Sequence, residues 1–439
     1  MTGQITLAHH DNPASLWLAK LGSKEPNTPL AGQTTADVTV IGAGFTGLRA
    51  AHKLAESGSN TVVLDAADVG FGASGRNGGQ VNPILPFNGP EQVRKLVGDK
   101  YFERLTEFSL GSADNLFEYI RDHQIDCQAR QNGWLRVDHC EKAKHASRSA
   151  AQAWNRHGAD IEFVDGNALQ KLSGSPEYQS GILAPRGGAI QPLALAHGIA
   201  QAAKKVGARI YGKTPATRLV QTKDGWTVET PAGSINSKWV VIATNGYSDS
   251  LVQGLKSALI PFVSVQIATP RLSPEVINSI LPGGQTLSDT RRVIIYTRRE
   301  PDDRIVIGSH GNLRRDGSLT GFKWLKKEAV RIFPQLKGID WEYAWGGKLA
   351  ITDDRLPHFY EPAKGLIAGM GYNGRGVAMS NLMGTVLADR VLGAAPDSLP
   401  FPVSPIKKIP FREVQMLGKS TAVWGMQILD RLESAKKSA

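Results

Sequence analysis

The period of the apolar positions changes several times along the chain, and each change marks an element. Residues 38–41 read as a short buried strand, then come glycines, then apolar residues at helical spacing as far as Gly58. A second short run, 61–64, ends at Asp65. From 90 to 120, Tyr101, Leu105, Phe108, Leu116 and Ile120 recur at roughly helical spacing and predict a packing face. Further helices are expected over 141–157 and 166–172, and from Pro192 to a glycine stop at Gly207. A turn at Gln131-Asn132-Gly133 opens a strand at 134–137 whose Trp134 reads as core, and strands follow near 209–211, 226–229 and 239–243. Alternating runs at 263–269, 293–298 and 304–308 read as antiparallel strands. The pattern predicts an α/β (mixed α+β) protein with no internal repeat: a Rossmann-like domain and a second, mainly antiparallel-sheet domain.

The chemistry lies where the first strand stops. Gly42-Ala43-Gly44-Phe45-Thr46-Gly47 is a glycine turn between a strand and a helix. Gly42 permits the tight turn, Gly44 lets backbone approach a pyrophosphate, and Gly47 lets the helix lie on the strand with free N–H groups facing the phosphates. Asp65, at the end of the second strand, stands where the ribose-binding acid of such a fold belongs. Strand, turn, helix, strand and acid together predict an adenine dinucleotide.

The next loop distinguishes the dinucleotides. Gly72-Ala73-Ser74-Gly75-Arg76-Asn77-Gly78-Gly79-Gln80 is too long and polar for an ordinary strand–helix connection. With it, the sequence resembles the D-amino-acid oxidase superfamily of flavoproteins, and most the branch of γ-glutamylputrescine oxidases and bacterial pipecolate oxidases. The resemblance implies that this loop lines an FAD. It extends to an apolar strand ending Ala243-Thr244-Asn245-Gly246, near the cofactor's phosphate end, and to a closing region with Trp345-Gly346-Gly347 and 352–357. There a glycine turn, Gly371-Tyr372-Asn373-Gly374-Arg375-Gly376-Val377, feeds a helix through Ala388 whose positive end would face the flavin ring. The implied division is an N-terminal extension over 1–36 and a discontinuous FAD domain over 37–130, 187–250 and 342–395. Residues 131–186 and 251–341 form the substrate domain, and 396–439 a linker and an amphipathic helix.

The resemblance implies oxidation of a carbon–nitrogen bond. A small amino or cyclic imino acid such as L-pipecolate would give a hydride to flavin N5 and leave an imine, with γ-glutamylputrescine or another amine as the alternative substrate. A non-catalytic or RNA-modifying flavoprotein is the reading of a different class. No histidine constellation is demanded, and His358 reads as structural. Sarcosine oxidase carries a flavin-bonding cysteine near its C-terminus, whereas no cysteine follows Cys140 and no histidine lies in 72–80; FAD is expected to bind noncovalently. That enzyme's oxygen-activating lysine has no counterpart in the run Arg-Ile-Val-Ile-Gly at 304–308, so the acceptor is oxygen or a quinone. Its carboxylate-binding lysine has Gly376 at the matching place, with Arg375 beside it. Arg292, Tyr296 and Arg298 fall at even spacings, hence on one face of an extended strand, and with Asn373 and Arg375 they are the candidates for substrate binding.

Composition narrows the setting. The net charge of +11 and pI near 9.5 suit anionic cofactors or acidic substrates, and no nucleic-acid-binding motif accompanies them. Two cysteines, Cys127 and Cys140, without a CxxC pair argue against a disulfide scaffold or metal site and fit a reducing cytoplasm. Residues 1–36, with Asn12-Pro13, lack the pattern of a signal peptide, and no apolar run is long enough to span a bilayer. In the tail, Val414, Leu417, Thr421, Trp424 and Ile428 share a helical face flanked by Arg412, Lys419 and Arg431. Such a helix can pack on its own domain or lie on an anionic membrane face near a quinone.

Overall fold

The computed structural model describes residues 15–435 apart from 23, 25, 86 and 315–317; Asn12-Pro13 and the side chains of Leu417 and Lys419 lie outside the described residues. Two eight-stranded sheets carry the fold. In the first, Leu366–Met370, Gly233–Ile242, Gly32–Ile41, Thr61–Leu64 and Arg209–Tyr211 run parallel in that spatial order, with the antiparallel His358–Ala363 beyond one edge. Val38, Val40, Val62, Val63, Val240 and Val241 are fully or almost fully buried, as expected of a parallel sheet covered on both faces. Helices Phe45–Glu56 and Gly376–Val391 cross closely because Gly384 has no side chain: a Cβ there would stand 2.5 Å from Thr46 O and 2.7 Å from Arg49 Cβ.

The first strand begins at Gly32 rather than near 38. Its leading residues are polar and exposed, so no apolar run announces them, yet they pair with 233–237 in register. The segment before it, expected as an extension, is tied into the core. In helix Leu16–Leu21, Trp17 is fully buried, donates from Nε1 to Asn77 O at 2.9 Å, and meets the ring of Trp345 edge-on at 5.2 Å.

The second sheet orders Tyr343–Ile351, Ile260–Ala268, Ile305–His310, Tyr296–Arg299, Thr286–Asp289, Trp134–Val137, Ser180–Ala184 and Glu162–Asp165, all antiparallel neighbours except the Thr286–Asp289 and Trp134–Val137 pair. Period two sorts its faces. Leu135, Val137, Leu287, Ile305, Ile307 and Ile267 pack with Leu325 and Phe333 into one apolar cluster. The opposite face carries a lateral row, Arg136–Ser288–Tyr296–Gly308–Gln266–Trp345, fixed by the strand register.

The strand expected over 293–298 is Tyr296–Arg299. Asp289 Oδ1 accepts from the backbone N–H groups of Arg291 and Ile295, at 3.2 and 3.0 Å, and rolls the intervening residues into a turn. Arg292 therefore leaves the strand face. The C-terminal segment forms helices Arg412–Leu417 and Lys419–Ala435. They pack back on the protein through a face other than the expected apolar one: Asp430 is buried, whereas Val414 and Trp424 are exposed. Among the described residues no helix is long and apolar enough to cross a membrane.

Candidate functional site

The glycine turn ends the first strand between the strand and helix that flank it. Gly42 adopts φ +113°, and a Cβ on it would lie 2.8 Å from Ala243 O; a Cβ on Gly47 would overlap Gly42 O. Only glycine fits either place. Phe45 N–H, at the helix start, donates to Ser74 Oγ at 2.9 Å, so the second glycine loop is fastened to the first. Gly44 completes the cradle, since a Cβ there would meet the same Ser74 Oγ at 2.8 Å. Asp65 accepts from Ala43 N–H and Ala67 N–H, both at 2.8 Å, and so braces the turn from behind. Burial raises its pKa to about 6, against the lowering effect of those two amides.

The loop over 72–80 is held from every side. Asn77 Nδ2 donates to Ala73 O and Ser74 O, and Gly79 N–H donates to Asn77 Oδ1 at 2.7 Å. Gly75 N–H reaches back to Gly70 O. Arg76 lies over the Phe71 ring and donates to Tyr247 OH at 3.1 Å. Gln80 Nε2 donates to Leu287 O and Thr297 O, both at 3.0 Å, joining the loop to the second sheet. Gly78 lies against the ring of Tyr296, where a Cβ would come within 2.7 Å.

The closing turn comes to the same place. Thr46 Oγ1 and Tyr372 OH share a hydrogen bond of 2.6 Å, joining the starts of the two long helices. Asn373, in the left-handed region at φ +52°, accepts from Thr352 N–H at 2.9 Å and donates to Gly371 O at 2.5 Å. Its amide is spent on shaping the turn. Gly371 N–H donates to Asn245 Oδ1 at 2.9 Å, Ala243 N–H to Ile41 O at 2.8 Å, and Thr244 Oγ1 pairs with Ser248 Oγ. A Cβ on Gly246 would crowd Lys348 O at 2.7 Å; Gly374, at φ +86°, is exposed, whereas Val377 is buried behind Gly376.

Do these residues fit a flavin dinucleotide? The glycine cradle leaves backbone open to phosphates at a helix N-terminus. Over it, the polar face of the second sheet presents two fully buried groups with no protein partner, Gln266 Oε1 and Trp345 Nε1. An unpartnered buried acceptor and donor are costly, and they are groups of the kind that the N–H and carbonyl edges of a ring system would pair with. A model of the family described as FAD dependent oxidoreductase matches residues 37–390. The chain belongs to that family.

It is an FAD-dependent oxidoreductase of the D-amino-acid oxidase superfamily, in the branch suggested by its 72–80 loop. γ-Glutamylputrescine oxidoreductase of Escherichia coli strain K12 is 31% identical over 412 residues, 91% of this chain and 96% of that one. Probable oxidoreductase OrdL of Haemophilus influenzae is 31% identical over 395 residues, 89% and 90% of the two chains. Among solved structures, glycine oxidase from Geobacillus kaustophilus superposes with a TM-score of 0.71 at 19% identity, covering 86% of this chain and 99% of that one. The last likeness speaks to the fold.

Two of the expected substrate-binding arginines of this oxidoreductase are engaged elsewhere. Arg292 donates to Asp430 Oδ1 and to both oxygens of Glu433, each at 2.8 Å, and so anchors the C-terminal helix. Arg298 is 1% exposed. Its Nη1 donates to Gly78 O, Gly79 O and Ile190 O at 3.2, 3.0 and 2.6 Å, while Nη2 stands 2.5 Å from Glu300 Oε1. A guanidinium with those partners holds the loop; it is not open to a substrate carboxylate. Tyr296 lies in the lateral row, its hydroxyl bonded to Ser264 Oγ at 2.7 Å and to Gln266 Nε2, and burial raises its pKa to about 12. Arg375 stands at the start of the Gly376–Val391 helix with its guanidinium 4.2 Å from the Trp134 ring centre. His358 bonds Asp354 Oδ1 and Ser404 Oγ, at 3.0 and 2.8 Å. Sequence reasoning missed Trp17, Gln266 and Tyr247, whose bonded partners Asn77, Tyr296 and Arg76 lie 60, 30 and 171 residues away; period two applied to 134–137 could have placed Arg136 beside Trp134.

Proposed function

We propose that this enzyme oxidises the CH–NH or CH–NH2 bond of a small amine or amino acid, with γ-glutamylputrescine-like amines preferred over L-pipecolate. The observation that carries the preference is the 31% identity with γ-glutamylputrescine oxidoreductase across nearly the whole of both chains. L-Pipecolate keeps only the support of the sequence resemblance. Bound FAD supplies the two-electron acceptor for a hydride leaving the carbon next to nitrogen. The chain's own residues orient and desolvate: the row Arg136–Ser288–Tyr296–Gly308–Gln266 forms the polar wall facing the loop over 72–80. Gly308 leaves that wall flat, since a Cβ there would overlap the Tyr296 ring. The amine reacts in its neutral form, because its lone pair must become the second C–N bond as the hydride departs. The reaction belongs in the cytoplasm, with oxygen as acceptor, or with a quinone reached by the outward apolar face of the C-terminal helix.

The test is anaerobic mixing of the yellow enzyme with γ-glutamylputrescine, L-pipecolate, L-proline, sarcosine and glycine, following flavin absorbance. γ-Glutamylputrescine should bleach it fastest. Bleaching by L-pipecolate alone would reverse the preference, and bleaching by none would remove the proposal. Return of colour in air within one turnover marks oxygen as the acceptor, and a much slower return marks the quinone.

A further inference from the structure

Helix Leu16–Leu21 precedes the stretch 37–390 shared with the family, yet its polar ties converge on the loop over 72–80. Trp17 is fully buried, and its Nε1 donates to Asn77 O at 2.9 Å. Asn77 is the residue whose own amide holds Ala73 O, Ser74 O and the N–H of Gly79, so the indole grips the centre of the loop. The ring packs edge-on against Trp345 and lies 5.0 Å from the guanidinium of Arg298, which spans the carbonyls of Gly78 and Gly79. Trp17 O accepts from Gln191 Nε2 at 2.9 Å, next to Ile190, whose carbonyl Arg298 also holds. At the other end of the helix, Lys20 Nζ donates to Glu300 Oε2 at 3.0 Å and to Asp302 Oδ1 at 2.9 Å. Glu300 is the buried acid that pairs with Arg298.

The helix therefore holds the loop twice, directly at Asn77 and indirectly through the Arg298–Glu300 pair. Leu16 and Trp17 complete an apolar cluster with Leu193 of the helix Pro192–Lys205 and with Ala268, Val306 and Trp345 of the second sheet. On the outward side Ala19 and Gly22 are exposed, so the helix lies at the surface of the molecule. Its six residues are far fewer than the about 12–15 that an isolated helix needs, so it exists only while docked.

We infer that this helix is a latch on the cofactor. Trp17 is a positioning residue: it sets the Asn77 carbonyl and, with Lys20, the Arg298–Glu300 pair, and these fix the loop that would hold FAD. Loop order and helix docking are then one equilibrium. FAD, by holding the loop, stabilises the docked helix, and the docked helix tightens FAD by the same factor. Release of FAD passes through an open state in which residues 16–21 are unfolded. The inference needs bound FAD and no particular amine, so it stands apart from the substrate preference above.

Two measurements on the full chain test the latch: amide exchange across residues 16–21 with and without FAD, and the rate at which FAD leaves the loaded protein, followed by flavin fluorescence after dilution. Exchange should be at least about tenfold slower with FAD bound, the reciprocal of the helix's effect on the cofactor. Trp17→Phe keeps a ring against Trp345 and loses the N–H, so FAD should leave about tenfold faster, as for one lost hydrogen bond. Lys20→Met touches no residue of the loop and should still speed release severalfold, because it frees the Arg298–Glu300 pair from the helix. Leu325→Ala is the control: it opens the apolar cluster on the other face of the second sheet, so it should lower the urea midpoint and leave FAD release unchanged. Exchange that is the same with and without FAD overturns the latch. So does release at the wild-type rate in both Trp17→Phe and Lys20→Met, or release as fast in Leu325→Ala as in those two. Should Trp17→Phe not fold, Lys20→Met and the exchange measurement decide alone. No amine enters the test, so an enzyme that oxidises none of the amines tried leaves its outcome intact.

Discussion

Replacing Arg298 by methionine separates a loop-holding arginine from a substrate clamp. In the structure this guanidinium makes three bonds to the carbonyls of Gly78, Gly79 and Ile190 and pairs with the fully buried Glu300. Methionine keeps an unbranched apolar stem and lacks any donor. It leaves Glu300 with Lys20 Nζ at 3.0 Å and Arg130 Nη2 at 3.9 Å, and strips a charged donor from three carbonyls. Removing one partner of a buried pair costs about 3–5 kcal/mol, and the remaining contacts relax only in part, so the loss should be near 4 kcal/mol. A loss of that size is a large fraction of the roughly 5–15 kcal/mol that holds a domain together. Because the loop over 72–80 is what loses its pin, about 3 kcal/mol of the loss should fall on FAD binding, a weakening of about 100-fold. Equilibrium dialysis of FAD and urea unfolding of the loaded protein measure the two parts. Arg298→Lys keeps the charge for Glu300 and reaches fewer carbonyls, so it should fall between. The reasoning is refuted if Arg298→Met keeps FAD and its urea midpoint while KM for the amine rises tenfold or more; Arg298 would then be the clamp that its strand position suggests.

Other perturbations probe the remaining supports. Gly47→Val sets a side chain into Gly42 O, so the protein should be made but remain colourless in excess FAD, as read from flavin absorbance after gel filtration. Asp65→Asn keeps one acceptor and turns an NH2 toward a backbone N–H, costing about 1–3 kcal/mol in urea unfolding. The same carboxyl has a folded pKa of about 6 against an ordinary 3.8, so it binds more protons folded than unfolded between those values. Its contribution therefore lowers stability as pH rises from about 4 to about 6 and is flat above, a slope that Asp65→Asn should remove. Arg292 holds the Glu433 carboxyl down to about 2 from 4.5, so their tie is complete above about pH 4.5 and is lost as pH falls through 2. Arg292→Ala should speed amide exchange across 419–435 at neutral pH and leave FAD bound; unchanged exchange would show that the helix is held by other contacts.

The parts legible in the sequence are those in which local chemistry and final position coincide. Gly42, Gly44 and Gly47 are demanded by contacts to residues near in the fold and read from spacing alone, and Ser74 and Asp65 fall on the same turn. Buried strands of the parallel sheet announce themselves by continuous apolar runs. The polar first half of the strand Gly32–Ile41 does not, since its partners at 233–237 lie two hundred residues on. Helix Lys323–Ile332 and strand Tyr343–Ile351 were not marked by the pattern because their apolar residues are interleaved with charged or small ones.

The arginines show where such reading stops, and for what reason. An arginine's role is decided by which acid meets it, and the acid is almost always remote in sequence. Asp430 and Glu433 lie about 140 residues from Arg292 and take it for the tail helix. Glu300 is only two residues from Arg298, yet what fixes Arg298 is the loop 220 residues earlier, whose carbonyls it spans. Even spacing along a strand had grouped these arginines with Tyr296. Asp289 instead ended the strand by binding Arg291 N–H and Ile295 N–H, which removed Arg292 from the face altogether. Arg375, at the start of the closing helix, reaches across to lie over Trp134 on the second sheet, two residues from Arg136, and the spacing of neither segment announces that meeting.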